Sequence, residues 1–408
     1  MRASKIVSFS IVILLITILF TGAVTVPAAA QNDTMMFRYN AQHTGDYSPV
    51  AVSNTSKGLL TWSFTTGNTV FSSPAVVNGV AYVGSYDSNI YAINATNGAK
   101  LWNYTTGGYV LSSPAVVNGT VYVGSDDNNT YALNATTGAK LWNYTTGGYV
   151  LSSPAVVNGT VYVGSDDNNT YALNATTGAK LWNYTTGGYV RSSPAIGNGV
   201  VYVGSDDNNT YALNATTGAK LWNYTTGSAV LSSPAIGNGV VYVGSDDNNT
   251  YALNATTGAK LWNYTTGSAV LSSPAVVNGV VYVGSYDSNI YALNAITGVK
   301  VWNYTTGGQV YSSAAVVNGT VYVGSSDNNV YALNATTGKV TWSFTTGDYV
   351  LSSPAVSNGE VYVGSVDGNI YAIGNAAAAT SQGTTPGFDV MLAFVGLVIA
   401  AYVVRRKS

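Results

Sequence analysis

The chain has 408 residues, of which 46% are hydrophobic and only 8% are charged, and its formal net charge is −2. So few Lys and Arg residues exclude a protein that binds nucleic acid by neutralising phosphates. The absence of cysteine excludes disulfides, thiol catalysis and cysteine-ligated zinc or iron–sulfur centres. The 45 Gly and 32 Tyr residues favour strands and turns over helices.

The N-terminal segment has the order of a secretory signal peptide. Arg2 and Lys5 precede an apolar run over residues 6–24, and the small residues 28–30 follow. This order predicts cleavage near Ala30, and a retained N-terminal membrane helix is the alternative.

The middle of the chain repeats one unit of 40 residues eight times. Tyr-Val-Gly-Ser recurs with this spacing from Tyr82 to Tyr362. A fixed period of this length predicts a propeller or a solenoid. We expect the tryptophans of the repeat to be structural, because a packed Trp buries on the order of 200 Å². All eight tryptophans of the chain follow the period: Trp62, Trp102, Trp142, Trp182, Trp222, Trp262, Trp302 and Trp342.

Each unit contains four strands, as residues 111–150 illustrate. Asn118-Gly119 between two β-rich runs predicts a type I′ hairpin turn, and two further turns divide the rest of the unit. The repeated region opens with one Trp-containing strand, residues 60–64, and closes with three strands that end near Ile373. We therefore predict an all-β fold, an eight-bladed β-propeller of four-stranded antiparallel blades in which the N-terminal strand closes the last blade. An open solenoid would need polar capping repeats, which the sequence lacks.

The third turn and the strand after it carry a family resemblance. Residues 131–142 read Tyr-Ala-Leu-Asn-Ala-Thr-Thr-Gly-Ala-Lys-Leu-Trp, which resembles the Ala-x-Asp-x-x-Thr-Gly-x-x-x-Trp signature of PQQ-like propeller repeats. The resemblance covers residues 36–374 and implies that each Trp docks on the neighbouring blade, over the peptide near the Gly. Asn134 and its equivalents stand where the family often has Asp. The WD40 and kelch patterns fit less well.

Some members of this family are quinone-dependent dehydrogenases, which hold the quinone over the ring axis with Ca²⁺ and a catalytic Asp. Here Glu360 is the only Glu, and the blades are near-copies, so we expect no cluster that gathers charges at one place. Acid, base and ligand need different positions, so we predict no enzyme, no catalytic residue and no cofactor-binding residue. We expect His43 to be a surface or packing residue, because a triad or a zinc site would need further partners.

Acidic turns are the best candidate functional feature. The acidic turn is the second turn of the unit, and we expect it to share a face with the connections between blades, such as Gly108-Tyr109. Carboxylates and aromatic rings on that face could bind sugars or weakly hold Ca²⁺. Ordinary turn chemistry is the alternative. Arg191 and Glu360 are the residues that break the repeat. The calcium candidates are the paired acids Asp126, Asp127, Asp166, Asp167, Asp206, Asp207, Asp246 and Asp247.

Asn-x-Ser/Thr sequons are dense, which suits an exported protein. We expect the sites in turns, of the Asn134 type, to be modified more readily than those inside the Trp strand, of the Asn103 type. The glycosylation candidates are Asn94, Asn118, Asn134, Asn158, Asn174, Asn214, Asn254 and Asn334.

The C terminus resembles the PGF-CTERM sorting signal of archaeal surface proteins. Pro386-Gly387-Phe388 precedes an apolar run over residues 390–404 and a basic end. The resemblance implies an archaeosortase-type processing enzyme that replaces the helix with a lipid, and a retained helix would be a short membrane anchor. We predict five segments: signal peptide 1–30, lead-in segment 31–58, propeller 59–374, Ala/Ser/Thr-rich spacer 375–385, and sorting signal with transmembrane helix 386–408.

These features predict a secreted glycoprotein anchored at the extracellular face of the plasma membrane. We expect a non-enzymatic binding or scaffolding role in an archaeal envelope, with a protein or polysaccharide partner and no nucleic acid. The alternatives are a quinone-dependent dehydrogenase and an envelope-assembly scaffold that resembles the BamB-type propellers.

Overall fold

The computed structural model describes residues 34–37, 39–45, 47 and 58–374. The predictions for the signal peptide, the spacer and the sorting helix concern residues outside this part. Eight antiparallel sheets follow one another along residues 59–374, each with four strands from this repeated region. The predicted eight-bladed propeller is therefore confirmed, and we number its blades 1 to 8 from Ala75 onward.

In blades 1 to 7 the four strands follow one another from the axis outward in chain order. In blade 8 the outer strand comes instead from the start of the repeated region. Inner strands of neighbouring blades lie beside one another around the axis. The inner strands are Ala75–Val77, Ala115–Val117, Ala155–Val157, Ala195–Gly197, Ala235–Gly237, Ala275–Val277, Ala315–Val317 and Ala355–Ser357. The second strands are Val80–Gly84, Thr120–Gly124, Thr160–Gly164, Val200–Gly204, Val240–Gly244, Val280–Gly284, Thr320–Gly324 and Glu360–Gly364.

The third strands and the outer strands complete the blades. The third strands are Asn89–Asn94, Asn129–Asn134, Asn169–Asn174, Asn209–Asn214, Asn249–Asn254, Asn289–Asn294, Asn329–Asn334 and Asn369–Gly374. The outer strands are Lys100–Thr105, Lys140–Thr145, Lys180–Thr185, Lys220–Thr225, Lys260–Thr265, Lys300–Thr305, Val340–Thr345 and, for blade 8, Leu59–Thr65.

The first hairpin of each blade turns as its sequence predicts. Asn118 and Gly119 have φ angles of +49° and +73°, the pair of left-handed conformations that a type I′ turn requires. Between the third and outer strands the register shifts between Lys140 and Trp142, so a bulge at Leu141 sets the direction of the Trp side chain.

The N-terminal strand closes the ring, as predicted. Leu59 pairs with Gly374 and Thr65 pairs with Asn369 in antiparallel register. Across the same sheet, the Thr61 hydroxyl donates to Glu360 Oε2 at 2.7 Å, so the one glutamate of the chain joins the two ends of the propeller.

A cycle of buried hydrogen bonds also runs round the axis without a break. In each blade a serine N–H donates to the serine Oγ of the next blade at 2.8–3.0 Å, and Ser353 donates back to Ser73. Such a cycle can be complete only in a closed ring. Its members are Ser73, Ser113, Ser153, Ser193, Ser233, Ser273, Ser313 and Ser353.

Each blade docks on the next through its Trp, as the family resemblance implies. Trp142 Nε1 donates to the Ala175 carbonyl at 2.9 Å, and the Tyr122 hydroxyl donates to the same oxygen at 3.1 Å. The indole covers Gly178, where a Cβ atom would lie 2.7 Å from the ring and where φ is +73°. Only glycine fits there without strain.

The lead-in segment lies against the inner strands. The carbonyls of Ala41, Gln42, Thr44 and Gly45 accept hydrogen bonds from the inner-strand amides of blades 4 to 7 at 2.6–2.9 Å. These bonds cover strand edges that would otherwise stay unpaired. His43 is fully buried there, with Nδ1 3.1 Å from the Pro234 carbonyl, so it is a packing residue.

The docking of Trp142 yields a test by substitution. Trp142→Ala removes a buried indole and its hydrogen bond, so it should lower the free energy of unfolding by about 3–5 kcal/mol. The neighbouring Leu141 is 54% exposed, and Leu141→Ala should change it by about 0.5 kcal/mol or less. Denaturant titration followed by tyrosine and tryptophan fluorescence measures both. Equal effects of the two substitutions would contradict the docking role.

Candidate functional site

Two kinds of loop meet on one face of the propeller. The second turn of blade 2, residues 125–128, lies beside the connection that enters the same blade, residues 106–114, and Asp126 N donates to the Tyr109 carbonyl at 2.9 Å. The equivalent bond recurs in every blade. The predicted sharing of one face is confirmed, and we call this surface the turn face.

The second aspartate of each acidic turn holds the loops together. Asp127 Oδ2 accepts hydrogen bonds from Gly107 N at 2.7 Å and from the Tyr131 hydroxyl at 2.5 Å, while Oδ1 accepts from Asn129 N at 3.0 Å. Burial alone would raise the pKa of Asp127, but these hydrogen bonds outweigh it and lower the pKa. The same bonds occur in all eight blades, at Asp87, Asp127, Asp167, Asp207, Asp247, Asp287, Asp327 and Asp367.

Four of the calcium candidates, Asp127, Asp167, Asp207 and Asp247, therefore serve turn chemistry. Within the described residues, no group of three or more His, Cys, Asp and Glu side chains could hold a metal ion. Calcium at the turns stays a prediction.

The first aspartates of the acidic turns gather on one half of the turn face. Asp126, Asp166, Asp206 and Asp246 belong to consecutive blades. Burial, together with repulsion from an aspartate of the adjoining blade, raises the pKa of Asp126, Asp206 and Asp246. The expectation that no place on the ring gathers charges is wrong here, because consecutive blades of the propeller set these four equivalent residues side by side. In the other blades the equivalent residues are Tyr86, Tyr286, Ser326 and Val366.

Arg191 lies inside this acidic half-ring. Its Nε and Nη2 atoms donate to the two oxygens of Asp166 at 3.1 and 3.0 Å, and Nη1 lies 4.0 Å from Asp206 Oδ2. The guanidinium also covers the Tyr189 ring, 4.8 Å from its centroid. Comparison of the repeats in the sequence identifies Arg191 as a residue that differs from its equivalents. Its partner Asp166 lies 25 residues earlier and becomes apparent only from the fold.

A cleft of about 440 Å³ opens next to this ion pair. Burial, followed by repulsion from Asp166 and Asp127, raises the pKa of Asp126 to about 6. Asp126 Oδ1 is buried and accepts no hydrogen bond from the part of the chain that the structure describes. Of the tyrosines that line the cleft, Tyr149 and Tyr189 are 52% and 46% exposed. Tyr109, which is 47% exposed, stacks on the third lining tyrosine, Tyr86, with 4.2 Å between the ring centroids. The lining includes Tyr86, Asp126, Tyr149, Asp166, Tyr189 and Arg191.

The glycosylation candidates lie in different surroundings. Asn118, Asn158 and Asn334 are exposed, while Asn94, Asn134, Asn174, Asn214 and Asn254 are half-buried. Asn134 Oδ1 accepts from the Thr136 and Thr137 amides. Asn103 is exposed, but its Nδ2, the atom that would carry a glycan, already donates to Asn89 Oδ1 at 3.0 Å. Modification of these sites stays a prediction.

The chain matches a protein-family model over most of its length. The model described as outer membrane protein assembly factor BamB matches residues 26–145, 105–232, 211–314 and 306–381. The chain therefore belongs to this family of PQQ-like repeat proteins. A PGF-CTERM motif matches residues 385–407 and indicates a protein anchored at the cell surface. No helix long and apolar enough to cross a membrane occurs in the described part of the chain. No curated protein matches the chain.

Solved structures share the fold at low sequence identity. BamB from Moraxella catarrhalis is 20% identical, with 77% of this chain and 99% of that chain covered and a TM-score of 0.68. The quinohemoprotein alcohol dehydrogenase ADHIIG from Pseudomonas putida HK5 is 17% identical, with coverages of 85% and 81% and a TM-score of 0.73. The computationally designed Ika8 protein is 16% identical, with coverages of 78% and 99% and a TM-score of 0.71. These similarities concern the fold alone.

The two aspartates of one turn should respond oppositely to neutralisation. Because the pKa of Asp126 is raised in the folded state, its ionised carboxylate destabilises the fold at pH values above about 6. This destabilisation declines as pH falls below about 6 and is gone below about 4, the ordinary pKa of an aspartate. Asp126→Asn should therefore raise Tm at pH 8 by roughly 1–3 °C, with no gain at acidic pH. Asp127→Asn should lower Tm at pH 8, because it removes hydrogen-bond acceptors. Thermal unfolding across pH measures both, and shifts of the same sign at pH 8 would contradict these roles.

Proposed function

We propose that this protein is a non-enzymatic binding or scaffolding protein of the archaeal cell envelope, on the extracellular face, and that the turn face is its binding surface. The observation that carries the proposal is the cleft of the acidic half-ring, where half-exposed tyrosines lie beside the Asp126 carboxylate, whose buried Oδ1 has no hydrogen-bond partner among the described residues. Aromatic and charged side chains of this kind are enriched where proteins bind partners.

The surface chemistry supports a binding role over a quinone-dependent dehydrogenase. On the turn face, pyrroloquinoline quinone, which is a polycarboxylate, would meet the acidic half-ring, where burial and repulsion from neighbouring aspartates raise the pKa of Asp126, Asp206 and Asp246. The described residues include one arginine, Arg191, and Asp166 already neutralises it. The residues present therefore do not fit that cofactor, and the likeness to dehydrogenases concerns the fold.

The family match favours a second candidate role, in envelope assembly. The BamB-type model matches almost the whole propeller, and its description names a protein that acts in assembly at a membrane. In that role the partner of the turn face would be a protein rather than a polysaccharide. The PGF-CTERM motif, which implies processing by an archaeosortase, would hold the propeller at the membrane surface.

A binding measurement tests the turn face. The full-length chain is immobilised and exposed to solubilised envelope material, and retained protein and polysaccharide are quantified. The variant Tyr109→Ser/Tyr149→Ser/Tyr189→Ser should retain at least tenfold less of the saturable component, which corresponds to about 1.4 kcal/mol. The control variant Leu101→Ser/Leu141→Ser/Leu181→Ser changes side chains of similar exposure, 51–54%, on the outer strands and should bind as the parent does.

Two results would contradict the proposal. One is equal retention by the tyrosine variant and the parent. The other is dye-coupled dehydrogenase activity when the chain is supplied with pyrroloquinoline quinone, Ca²⁺ and alcohols.

A further inference from the structure

We propose that the cleft beside Asp126 binds an arginine side chain of a peptide partner. This inference rests on the proposed function, because it names the chemistry that the turn face recognises. The observation behind it is the guanidinium of Arg191, which binds at the equivalent position one blade further along the chain.

Arg191 shows how a guanidinium binds on the turn face. It makes a bidentate pair with Asp166, lies against the Tyr189 ring and approaches Asp206 from the other side. Bidentate carboxylate pairing together with stacking on an aromatic ring is the recognition that the planar guanidinium group favours. We call the set Tyr189, Asp166 and Asp206 the filled slot.

The same slot exists one repeat earlier without its cation. Residues 111–150 and 151–190 are identical in sequence, so Tyr149, Asp126 and Asp166 repeat the filled slot in the preceding blade. Leu151 stands there at the position of Arg191. We call the set Tyr149, Asp126 and Asp166 the open slot.

The open slot has both the space and the unmet charge for a ligand. Its three residues line the cleft of about 440 Å³, and Leu151 lines it as well. Asp126 Oδ1 is buried without a hydrogen-bond partner among the described residues, whereas both oxygens of its counterpart Asp166 are bound by Arg191. Tyr149 is 52% exposed, which leaves its ring available for stacking.

Other ligands suit the open slot less well. An anion would be repelled by Asp126, because Arg191, the cation that lines the cleft, is already paired with Asp166. Calcium needs six to eight oxygen ligands, and the described residues offer no cluster of three acids for a metal. A lysine ammonium could pair with Asp126 but lacks the planar fork and the stacking face. The next slot, between Asp206 and Asp246, has Ala229 in place of the tyrosine, so we expect one strong site in the parent chain.

A pair of peptides tests the proposal on the full-length chain. The probes are acetyl-Gly-Arg-Gly-amide and its citrulline counterpart, which has nearly the same shape but no charge. Titration calorimetry at low ionic strength should show one site for the arginine peptide, with an affinity at least tenfold above that of the citrulline peptide. Asp126→Asn should weaken arginine binding at least tenfold.

Substitutions at the repeat position of Arg191 provide the controls. Leu151→Arg should fill the open slot, abolish peptide binding and raise Tm. Leu351→Arg places the same residue between Ser326 and Val366, where no acid stands at the corresponding position, and should leave binding unchanged. Arg191→Leu should empty the filled slot and raise the stoichiometry from one towards two. Thermal unfolding of each variant shows whether it is folded.

Three outcomes would overturn the proposal: equal affinity for the two peptides, binding that survives Leu151→Arg, or binding of CaCl₂ without binding of the arginine peptide. If the arginine peptide fails while the tyrosine variant still loses its envelope partner, this inference fails and the proposed function stands. If both fail, the turn face is not a binding surface.

Discussion

The joint between neighbouring blades is the interaction on which the rest of the structure depends. A tryptophan from one blade covers a glycine of the next, as Trp142 covers Gly178. The carbonyl of Ala175, three residues before that glycine, accepts hydrogen bonds from both the tryptophan and a tyrosine. A blade has to make this joint on both sides, so the residues that serve it are the same in nearly all copies. Positions that do not contribute to the joint vary between blades. On the turn face, the varying positions include the first residue of the acidic turn and the position of Arg191.

Much of the fold can be predicted from the sequence, because the local turn signals and the 40-residue period of the repeat indicate the same architecture. The Asn-Gly turns specify the hairpins, the period of 40 residues specifies the number of blades, and the phase of residues 60–64 specifies how the ring closes. The path of the lead-in segment could not be predicted in this way. It has no repeat, and its carbonyls meet inner strands from four different blades, so nothing near His43 in the sequence indicates burial.

The candidate site was predictable in part. The acidic turns and their shared face with the inter-blade connections follow from the pattern, but the different roles of Asp126 and Asp127 do not. Both are turn aspartates in sequence, and only the fold shows that Asp127 binds three donors while Asp126 faces Asp166 of the next blade. The same distinction bears on function. This fold occurs in enzymes and in assembly factors, so activity has to be argued from the few residues that differ between blades.

The closed ring itself can be tested most directly with a pair of engineered cysteines, since the chain has none. The Thr65 hydroxyl of the N-terminal strand lies 2.6 Å from Asn369 Oδ1 in blade 8, and the same pair occurs within blade 1, where Thr105 lies 2.7 Å from Asn89. Under oxidation, Thr65→Cys/Asn369→Cys should form its disulfide as completely as Thr105→Cys/Asn89→Cys, measured by intact mass after thiol alkylation. A disulfide in the blade 1 pair with free thiols in the terminal pair would contradict closure of the ring by the N-terminal strand.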